Sequence, residues 1–278
     1  MANTIISPTI FAKEVVRNRD IKNVFYNYAN SAFTGELKKA WDTVTVQTLP
    51  TLSFVTGWTA GAAISATDFT ITSENLVIDR VAQLAVTLKD IEMVQSNLSL
   101  EEKVASRFAE AEARLFDETV RDQILVTDVA SIPAGNKINS GAPVTLTKTN
   151  IFEEIESMKV ALAEQNVTDN LVLFVSPSAA SLLRQSGILD ASDLGLETRK
   201  KGYMGMISGL KVVETNALTA SKEMILMQDG AVNMVAQLNQ YDVRKATDGF
   251  YENLIAEVIY GLKIFGENAK AIAINYVA

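Results

Sequence analysis

The most regular pattern of apolar positions lies between Leu98 and Val126. Apolar and weakly polar residues recur there at steps of three to five, namely Leu100, Val104, Phe108, Ala111, Leu115, Thr119 and Ile124. This spacing lines one face of an α-helix. Ser99 and Glu102 form a capping-box pattern at its start. The pattern predicts a helix of about 28 residues, roughly 42 Å long, that buries one face.

Two stretches before this helix alternate between apolar and polar residues, as half-buried strands do. They are residues 41–47 and Leu76–Glu92, and Thr51–Asn75 between them is rich in Thr, Ser, Ala and Gly. The intervening stretch carries Phe54, Trp58 and Phe69. We expect an extended hairpin, which buries little by itself. Either another layer of the same chain or a partner molecule must therefore cover its aromatic residues.

After the long helix, residues 150 to about 225 have the pattern of a compact α/β unit. A helical stripe over Asn150–Glu164 precedes the continuous apolar run Asn170–Ser176, which is typical of a strand covered on both faces. Pro177 then opens a short helix. Residues 190–208 are predicted to form a loop. Further strands are expected at 209–214, 224–227, 231–237, 250–260, 262–265 and 269–277, with a turn at 266–268.

Composition narrows the possible functions. The 278 residues are 48% hydrophobic and carry a net charge of −8, with neither Cys nor His. These absences exclude disulfides, the usual zinc sites and Ser-His-Asp or Cys-His catalysis. An acidic chain does not bind nucleic acid through its overall field. No apolar run is long enough to span a membrane, and the start does not have the pattern of a secretory signal.

Residues 1–40 have the pattern of an N-terminal arm with its own charge. Between Phe11 and Lys39 there are six basic and three acidic residues. The segment is either a solvated stretch with a few apolar anchors or an arm that reaches along an acidic neighbour. Its charges are too sparse to favour a nucleic-acid arm.

The search for catalytic, cofactor and metal sites finds no candidate residues. No phosphate-binding loop or dinucleotide fingerprint is present. The carboxylate pairs on predicted helices, such as Glu153 and Glu154, are interpreted as solvated faces. The basic run Arg199, Lys200 and Lys201 is interpreted as a solvated loop tip or, second, as a subunit contact. We therefore predict that the protein is not an enzyme and needs no cofactor.

Four stretches, in this order, resemble one known family. They are Asp42–Val44, Lys89–Glu92 followed by Gln95 and Ser96, Gly209–Asn216, and Tyr260–Lys263. An arm, a strand pair with a long hairpin, a long helix, an α/β unit and a returning sheet resemble the α+β Hong Kong 97 fold of tailed-bacteriophage major capsid proteins. The resemblance spans nearly the whole chain.

This resemblance implies a division of the chain. Residues 1–40 would form the arm. Residues 41–129 and 226–278 would form a peripheral domain, with an extended loop at about 49–75 and a spine helix at about 98–126. Residues 130–225 would form an axial α/β domain that meets its copies at the centre of a pentamer or hexamer. The final strands would complete the peripheral sheet.

The same resemblance implies contacts and partners. Phe54, Trp58 and Phe69 would pack on the next subunit, with Arg199, Lys200 and Lys201 as further contacts. Pentamers and hexamers would form an icosahedral shell, assembled in the host bacterial cytoplasm, around double-stranded DNA that the chain contacts weakly. A separate scaffolding protein and a portal are expected, and no membrane is involved. Thr43–Asp79 contains no Lys, so no lysine-based cross-link from this loop is expected.

Two alternatives remain at this point. The first is an encapsulin, a cellular nanocompartment with the same fold that holds a cargo enzyme. The pattern of residues 8–30 resembles a phage arm more than the N-terminal helix of encapsulins. The second is a cytoplasmic α/β enzyme or small-ligand binder that uses residues 150–225. This alternative leaves the hairpin unexplained.

Overall fold

The computed structural model describes residues 24–35, 41–48, 71–89, 100–187, 203–218, 223–245 and 251–278. Within these ranges the α-helices are α1 (Leu100–Asp122), α2 (Ile151–Glu164), α3 (Pro177–Ser186) and α4 (Gly266–Ala269). The strands are β1 (Thr43–Thr48), β2 (Thr72–Val77), β3 (Arg80–Lys89), β4 (Lys137–Ile138), β5 (Leu171–Val175), β6 (Tyr203–Ile207), β7 (Leu210–Glu214), β8 (Met224–Gln228), β9 (Asn233–Lys245), β10 (Tyr251–Lys263) and β11 (Ile272–Asn275).

Helix α1 confirms the long helix, with two differences. Its last turn widens into a π-helical turn at Gln123–Thr127 instead of continuing as α-helix. Its buried face differs from the predicted stripe. Ala109, Ala113 and Phe116, which are outside the stripe, are buried, and Ala111, which is part of it, is exposed. Since α1 packs against a sheet on one side and against residues 24–28 on another, one apolar stripe does not cover both contacts. The predicted cap at Ser99 lies outside the described residues.

Six strands form a mixed sheet in the order β4-β11-β8-β5-β7-β6. Every residue of β5 is buried, as its continuous apolar run predicted. Alternate side chains divide between two cores. Leu171, Leu173 and Val175 face α2 and α3. Val172 and Phe174 face the opposite core, which contains Phe116 of α1 and also Phe25.

The remaining strands form two smaller sheets. Strands β3, β10 and β9 make an antiparallel sheet in the order β3-β10-β9, and β1 pairs with β2 in a separate two-stranded hairpin. Helix α1 lies on one face of the three-stranded sheet, where Phe116 contacts Tyr260 at a ring distance of 5.7 Å. The base of the hairpin packs on the other face, where Leu76 and Ile78 join Ile259.

Several sequence predictions for strands are wrong in detail. The stretch Leu76–Glu92 is two strands, β2 and β3, since the chain leaves one sheet for another at Ile78–Asp79. Residues 203–207, predicted as loop, form β6 and pair with β7. Gly205 has φ 127°, a backbone conformation that favours glycine. The register between β6 and β7 shifts between Tyr203 and Gly205, so β6 pairs with β7 through a bulge.

The C-terminal region differs from the prediction in three ways. Gly261 does not interrupt β10, which runs through it. The predicted turn at 266–268 is the short helix α4. Strand β11, expected in the peripheral sheet with the other final strands, lies in the six-stranded sheet between β4 and β8. Its four residues are all buried, so that sheet covers the apolar run on both faces.

Candidate functional site

The N-terminal segment enters the body of the protein at a single carboxylate on α1. Asp117 accepts the backbone N–H of Phe25 at 2.8 Å and that of Tyr26 at 3.4 Å through Oδ1. The N–H of Val24 lies 3.2 Å from both carboxylate oxygens. These N–H groups start a short 3-10 turn at Tyr26–Tyr28. Asp117 therefore accepts hydrogen bonds from the N–H groups at the start of this turn, where no preceding helical turn supplies carbonyl acceptors.

Burial raises the pKa of Asp117 from its ordinary value of 3.8 to about 6. The three backbone N–H groups act in the opposite direction, since they favour the charged carboxylate, and the neighbouring charge of Glu118 adds to the rise. Desolvation is the largest of these effects. The contact that fixes the entry of the arm thus changes protonation state in a mildly acidic range.

Aromatic contacts fix the same segment, residues 24–30, which we call the arm root. Phe25 is fully buried and stacks on Phe174 of β5 at a ring distance of 4.2 Å. Tyr28 approaches Phe174 edge-on at 5.5 Å. At the other end, the amide of Asn30 donates to Asn233 at 2.9 Å. The arm root is therefore part of the core and joins α1 to the six-stranded sheet.

The hairpin leaves the body from a second small core. Leu76, Ile78, Val235, Ile259 and Phe265 are buried together, with Val44 and Val46 packed beside them. We call the four hairpin residues of this cluster, Val44, Val46, Leu76 and Ile78, the hairpin root. The backbone N–H of Gly266 donates to Glu74 Oε1 at 2.9 Å. The hairpin is thereby held at its base through both backbone and side chains.

Gly261 makes this close approach possible. A Cβ at this position would overlap the carbonyl oxygen of Val77 and would lie 3.0 Å from the Cα of Ile78. The backbone after β2 therefore crosses β10 in direct contact, and only a residue without a side chain fits there.

A chain of polar side chains connects the end of α1 to the three-stranded sheet. Arg80 of β3 donates to Gln123 Oε1 at 2.8 Å, and Gln123 Nε2 donates to Asp128 Oδ2 at 2.8 Å. The backbone N–H of Ile264 donates to the same Asp128 oxygen at 3.1 Å. The π-helical turn between Gln123 and Thr127 brings these partners together.

The interface residues predicted from sequence cannot be compared with this geometry. Phe54, Trp58, Phe69, Arg199, Lys200 and Lys201 all lie outside the described residues. Sequence reasoning missed Phe25 and Asp117. Two signals pointed to them: the aromatic run Phe25, Tyr26 and Tyr28 in a mostly polar arm, and an acidic residue between Phe116 and Val120 on the buried face of α1.

Among the described residues, no group of three or more acidic side chains is arranged to hold a metal ion. In the same part of the chain, no helix has the length and apolar character needed to cross a membrane. The organised features are the two roots and the polar chain at the end of α1. The roots attach the arm and the hairpin to the body of the protein, and the polar chain joins the end of α1 to the three-stranded sheet.

Comparison with known proteins identifies the family. The sequence profile described as phage capsid protein matches residues 83–275. This range includes α1, the six-stranded sheet and all of the three-stranded sheet except the first three residues of β3. This chain belongs to the phage capsid protein family. It is a major capsid protein, a structural protein of the virion that forms a shell, and not an enzyme. The family match favours this function over the nanocompartment and enzyme alternatives.

Solved structures of several other proteins share the fold of this chain. One from Mycobacterium phage Che8 has 23% identity and a TM-score of 0.72, covering 91% of each chain. The capsid structure of cyanophage P-SCSP1u has 13% identity and a TM-score of 0.67, covering 92% of this chain and 88% of the other. A virus-like particle from Pyrococcus furiosus has 14% identity and a TM-score of 0.57, covering 95% and 96%. No curated protein matches the chain.

Proposed function

We propose that this capsid protein has the Hong Kong 97 fold and assembles as pentamers and hexamers into an icosahedral shell around phage double-stranded DNA. The observation that carries the proposal is the hairpin root. Strands β1 and β2 pair with each other over six residues, and a buried cluster fixes their base. The 23 residues between Thr48 and Thr72 would then project as an extended loop. A two-stranded projection gains stability from a neighbour.

In this proposal the two larger sheets are two domains. The three-stranded sheet with α1 is the peripheral domain, and the six-stranded sheet with α2 and α3 is the axial domain. The proposal assigns β11 to the axial domain, and not to the peripheral domain as predicted from the sequence, because β11 pairs with β8 and β4. The arm and the hairpin are the parts that adjust when one chain occupies different positions in a closed shell.

The aromatic residues of the hairpin are the proposed anchors between subunits. Phe54, Trp58 and Phe69 would each bury about 150–250 Å² on the next subunit. The basic run Arg199–Lys201 would make a second contact with neighbouring subunits. A shell contact of this kind would give these apolar side chains a partner on the next subunit.

The test is a hairpin variant, Phe54→Ser with Trp58→Ser, examined by negative-stain microscopy beside the unchanged protein. When each protein is expressed with its neighbouring genes, we expect closed shells from the unchanged protein, and folded protein without shells from the variant. Val160→Ser is the control, because Val160 is a 55% exposed apolar residue on α2, outside the hairpin. Normal shells from the hairpin variant would overturn the proposed contact.

Further partners belong to the same proposal. A separate scaffolding protein and a portal would direct assembly in the host bacterial cytoplasm, and the net charge of −8 would keep contacts with packaged DNA weak. Thr43–Asp79 contains no Lys, so subunits would remain noncovalent. Denaturing electrophoresis of mature particles should show a single band near 30.2 kDa. A ladder of covalent oligomers would contradict this.

A further inference from the structure

Trp41 is the most exposed large apolar residue in the described part of the chain, at 72%. A single apolar side chain on a surface is ordinary and needs no partner. The backbone sets Trp41 apart, because its φ of 73° lies in the left-handed region, where a bulky residue is an outlier. The other described non-glycine residues with positive φ are small and polar, namely Asn139, Asn166, Asn170 and Ser208.

The hydrogen bonds around Trp41 account for this conformation. The backbone N–H of Trp41 donates to the carbonyl oxygen of Ile78 at 2.8 Å, and the N–H of Ile78 donates to the carbonyl oxygen of Asp42 at 3.1 Å. Two residues before β1 therefore oppose a single residue after β2, which is the pattern of a β-bulge. When the first residue of a bulge is left-handed, that residue is normally glycine. A tryptophan occupies the position here.

A buried neighbour holds the bulge in place. Ile78 is 1% exposed and packs with Ile259 and Phe265 in the core of the hairpin root. Since Ile78 cannot move without opening this core, its two hydrogen bonds fix the backbone of Trp41. A strained backbone persists where the surrounding structure determines it, and such residues cluster at sites of function. The strain costs free energy in the isolated chain, where a ring that is 72% exposed gains little packing in compensation.

The function of the protein and the size of the contact indicate the class of partner. A capsid protein that forms a shell is surrounded by copies of itself. One aromatic side chain buries about 150–250 Å², well below the roughly 800 Å² per partner of a standard interface. Trp41 alone is too small a contact for a separate partner protein. It suits a shell, in which each copy makes many contacts at once.

The surface beside the hairpin root extends the apolar contact. Val81 on β3 is 50% exposed and is the register partner of Ile259 on β10. Directly opposite residues of an antiparallel pair share a face of the sheet, so Val81 lies on the face that the hairpin root covers. A copy that packs on Trp41 therefore meets a second exposed apolar side chain on the same side of the body.

We propose that Trp41 is an anchor between subunits, and that its ring packs on a second copy of this chain in the shell. This inference rests on the proposed assembly, but it uses a described residue of the hairpin base and not the residues of the extended loop. The bulge holds the ring outward before contact, so less conformational freedom is lost when copies associate. Tryptophan is also among the residue types most enriched in interface hot spots.

The first test is Trp41→Gly, expressed with the neighbouring genes and examined by sedimentation and negative-stain microscopy. We expect the assembled fraction to fall at least about tenfold, as for the loss of a hot-spot side chain. The unassembled variant should unfold at the same urea concentration as the unchanged protein or a higher one, since glycine relieves the left-handed strain. Unchanged assembly, or a clearly lower urea midpoint, would overturn the proposal, the second because it assigns Trp41 to the fold.

Three further variants separate the ring from the backbone. Trp41→Asn removes the ring with a residue that tolerates the left-handed region, so it should assemble as poorly as Trp41→Gly. Trp41→Phe keeps an aromatic ring and should retain most of the assembly. Val126→Ser is the matched control, because Val126 is 69% exposed without a positive φ, and it should assemble normally. Equal losses in Val126→Ser and Trp41→Gly would overturn the special role of Trp41.

Photo-cross-linking identifies the occupant. Benzoylphenylalanine in place of Trp41 couples on irradiation to the groups that it contacts. Unassembled ¹⁵N-labelled and unlabelled chains are mixed, allowed to associate and irradiated, and we expect cross-linked peptide pairs that carry both isotopes. Pairs of one isotope only, or coupling to another protein, would overturn the proposal. Shells without mixed-isotope pairs would overturn this inference alone, while mixed-isotope pairs without shells would support it and contradict the proposed shell.

Discussion

The two larger sheets differ in how completely the chain covers them. In the six-stranded sheet, β5 and β11 are buried over their whole length, with helices α2 and α3 on one face. In the three-stranded sheet, Val81 is 50% exposed and Leu84 40% exposed on β3. Strands β5 and β11 of the first sheet are covered within one chain, while the second sheet exposes apolar side chains on β3. Surfaces that a single chain leaves uncovered are where contacts between copies are expected.

Both sheets also join distant parts of the chain. In the six-stranded sheet, Ile274 of β11 pairs with Lys137 of β4. The three-stranded sheet brings residues 80–89 to residues 251–263, and the hairpin root packs on it. The arm root connects the two sheets. Its Phe25 stacks on Phe174 of β5, and its Tyr26 contacts Phe116 of α1. Phe116 in turn contacts Tyr260 of β10.

The largest expected effect comes from removing that connection. Phe25→Ala deletes a fully buried ring and should lower the free energy of unfolding by about 3–5 kcal/mol. Urea unfolding of the unassembled chain measures this loss. Val160→Ala, at an exposed position of α2, should change the free energy by less than about 0.5 kcal/mol. A loss below about 1 kcal/mol for Phe25→Ala would mean that the arm root is not part of the core.

The next effect concerns the crossing of the hairpin root over β10. Gly261→Ala places a methyl group against the backbone of Val77 and Ile78 and should cost about 2–3 kcal/mol. Gly135→Ala is the matched control, because no atom lies within 4 Å of a Cβ at that position. Urea unfolding of both variants gives the comparison, and equal stability would show that the crossing relaxes freely.

The sequence predicted elements with a local pattern better than features that depend on contacts with distant parts of the chain. Asn170–Ser176 and Asn150–Glu164 carry local patterns that their neighbours do not override, and both were found. Gly261 was interpreted as an interruption of a strand, because the crossing chain that requires it comes from residues 77 and 78, far away in sequence. Asp117 was missed for the same reason, since its partners at residues 24–26 lie more than 90 positions away.

The third effect is a pH dependence of the arm root. In the folded chain, burial raises the pKa of Asp117 from 3.8 to about 6. A raised pKa means that the stabilising contribution is complete below about 3.8 and is lost as the pH rises through about 6. Between pH 7.5 and pH 5 the change should be about 1–2 kcal/mol, with greater stability at pH 5.

The variant Asp117→Asn isolates this group, since it cannot titrate. The difference in unfolding free energy between the unchanged protein and Asp117→Asn should shift by that amount between the two pH values. Glu110, Arg114, Glu118 and Glu214 line one cleft together with Asp117 and are unchanged in Asp117→Asn, so their contributions to the unfolding free energy largely cancel. A difference that is constant with pH would contradict the raised pKa.

The smallest expected effect concerns a helix cap on the six-stranded sheet. Ser176 caps α3, where its Oγ accepts the N–H of Ala179 at 3.4 Å, a long contact. Ser176→Ala should therefore cost about 0.5–1 kcal/mol, in the lower half of the range for such caps. Ser157→Ala replaces an exposed serine inside α2 and should be neutral or slightly stabilising, because Ala is the better helix former. Urea unfolding compares the two variants, and equal values would mean that the cap contributes nothing.

The pH dependence assigned to Asp117 should be unchanged in Ser176→Ala, because α3 packs on the face of the six-stranded sheet opposite the arm root. A changed pH dependence would show that the two faces of this sheet are coupled, and the contrast between a self-contained region and a shared one would then fail.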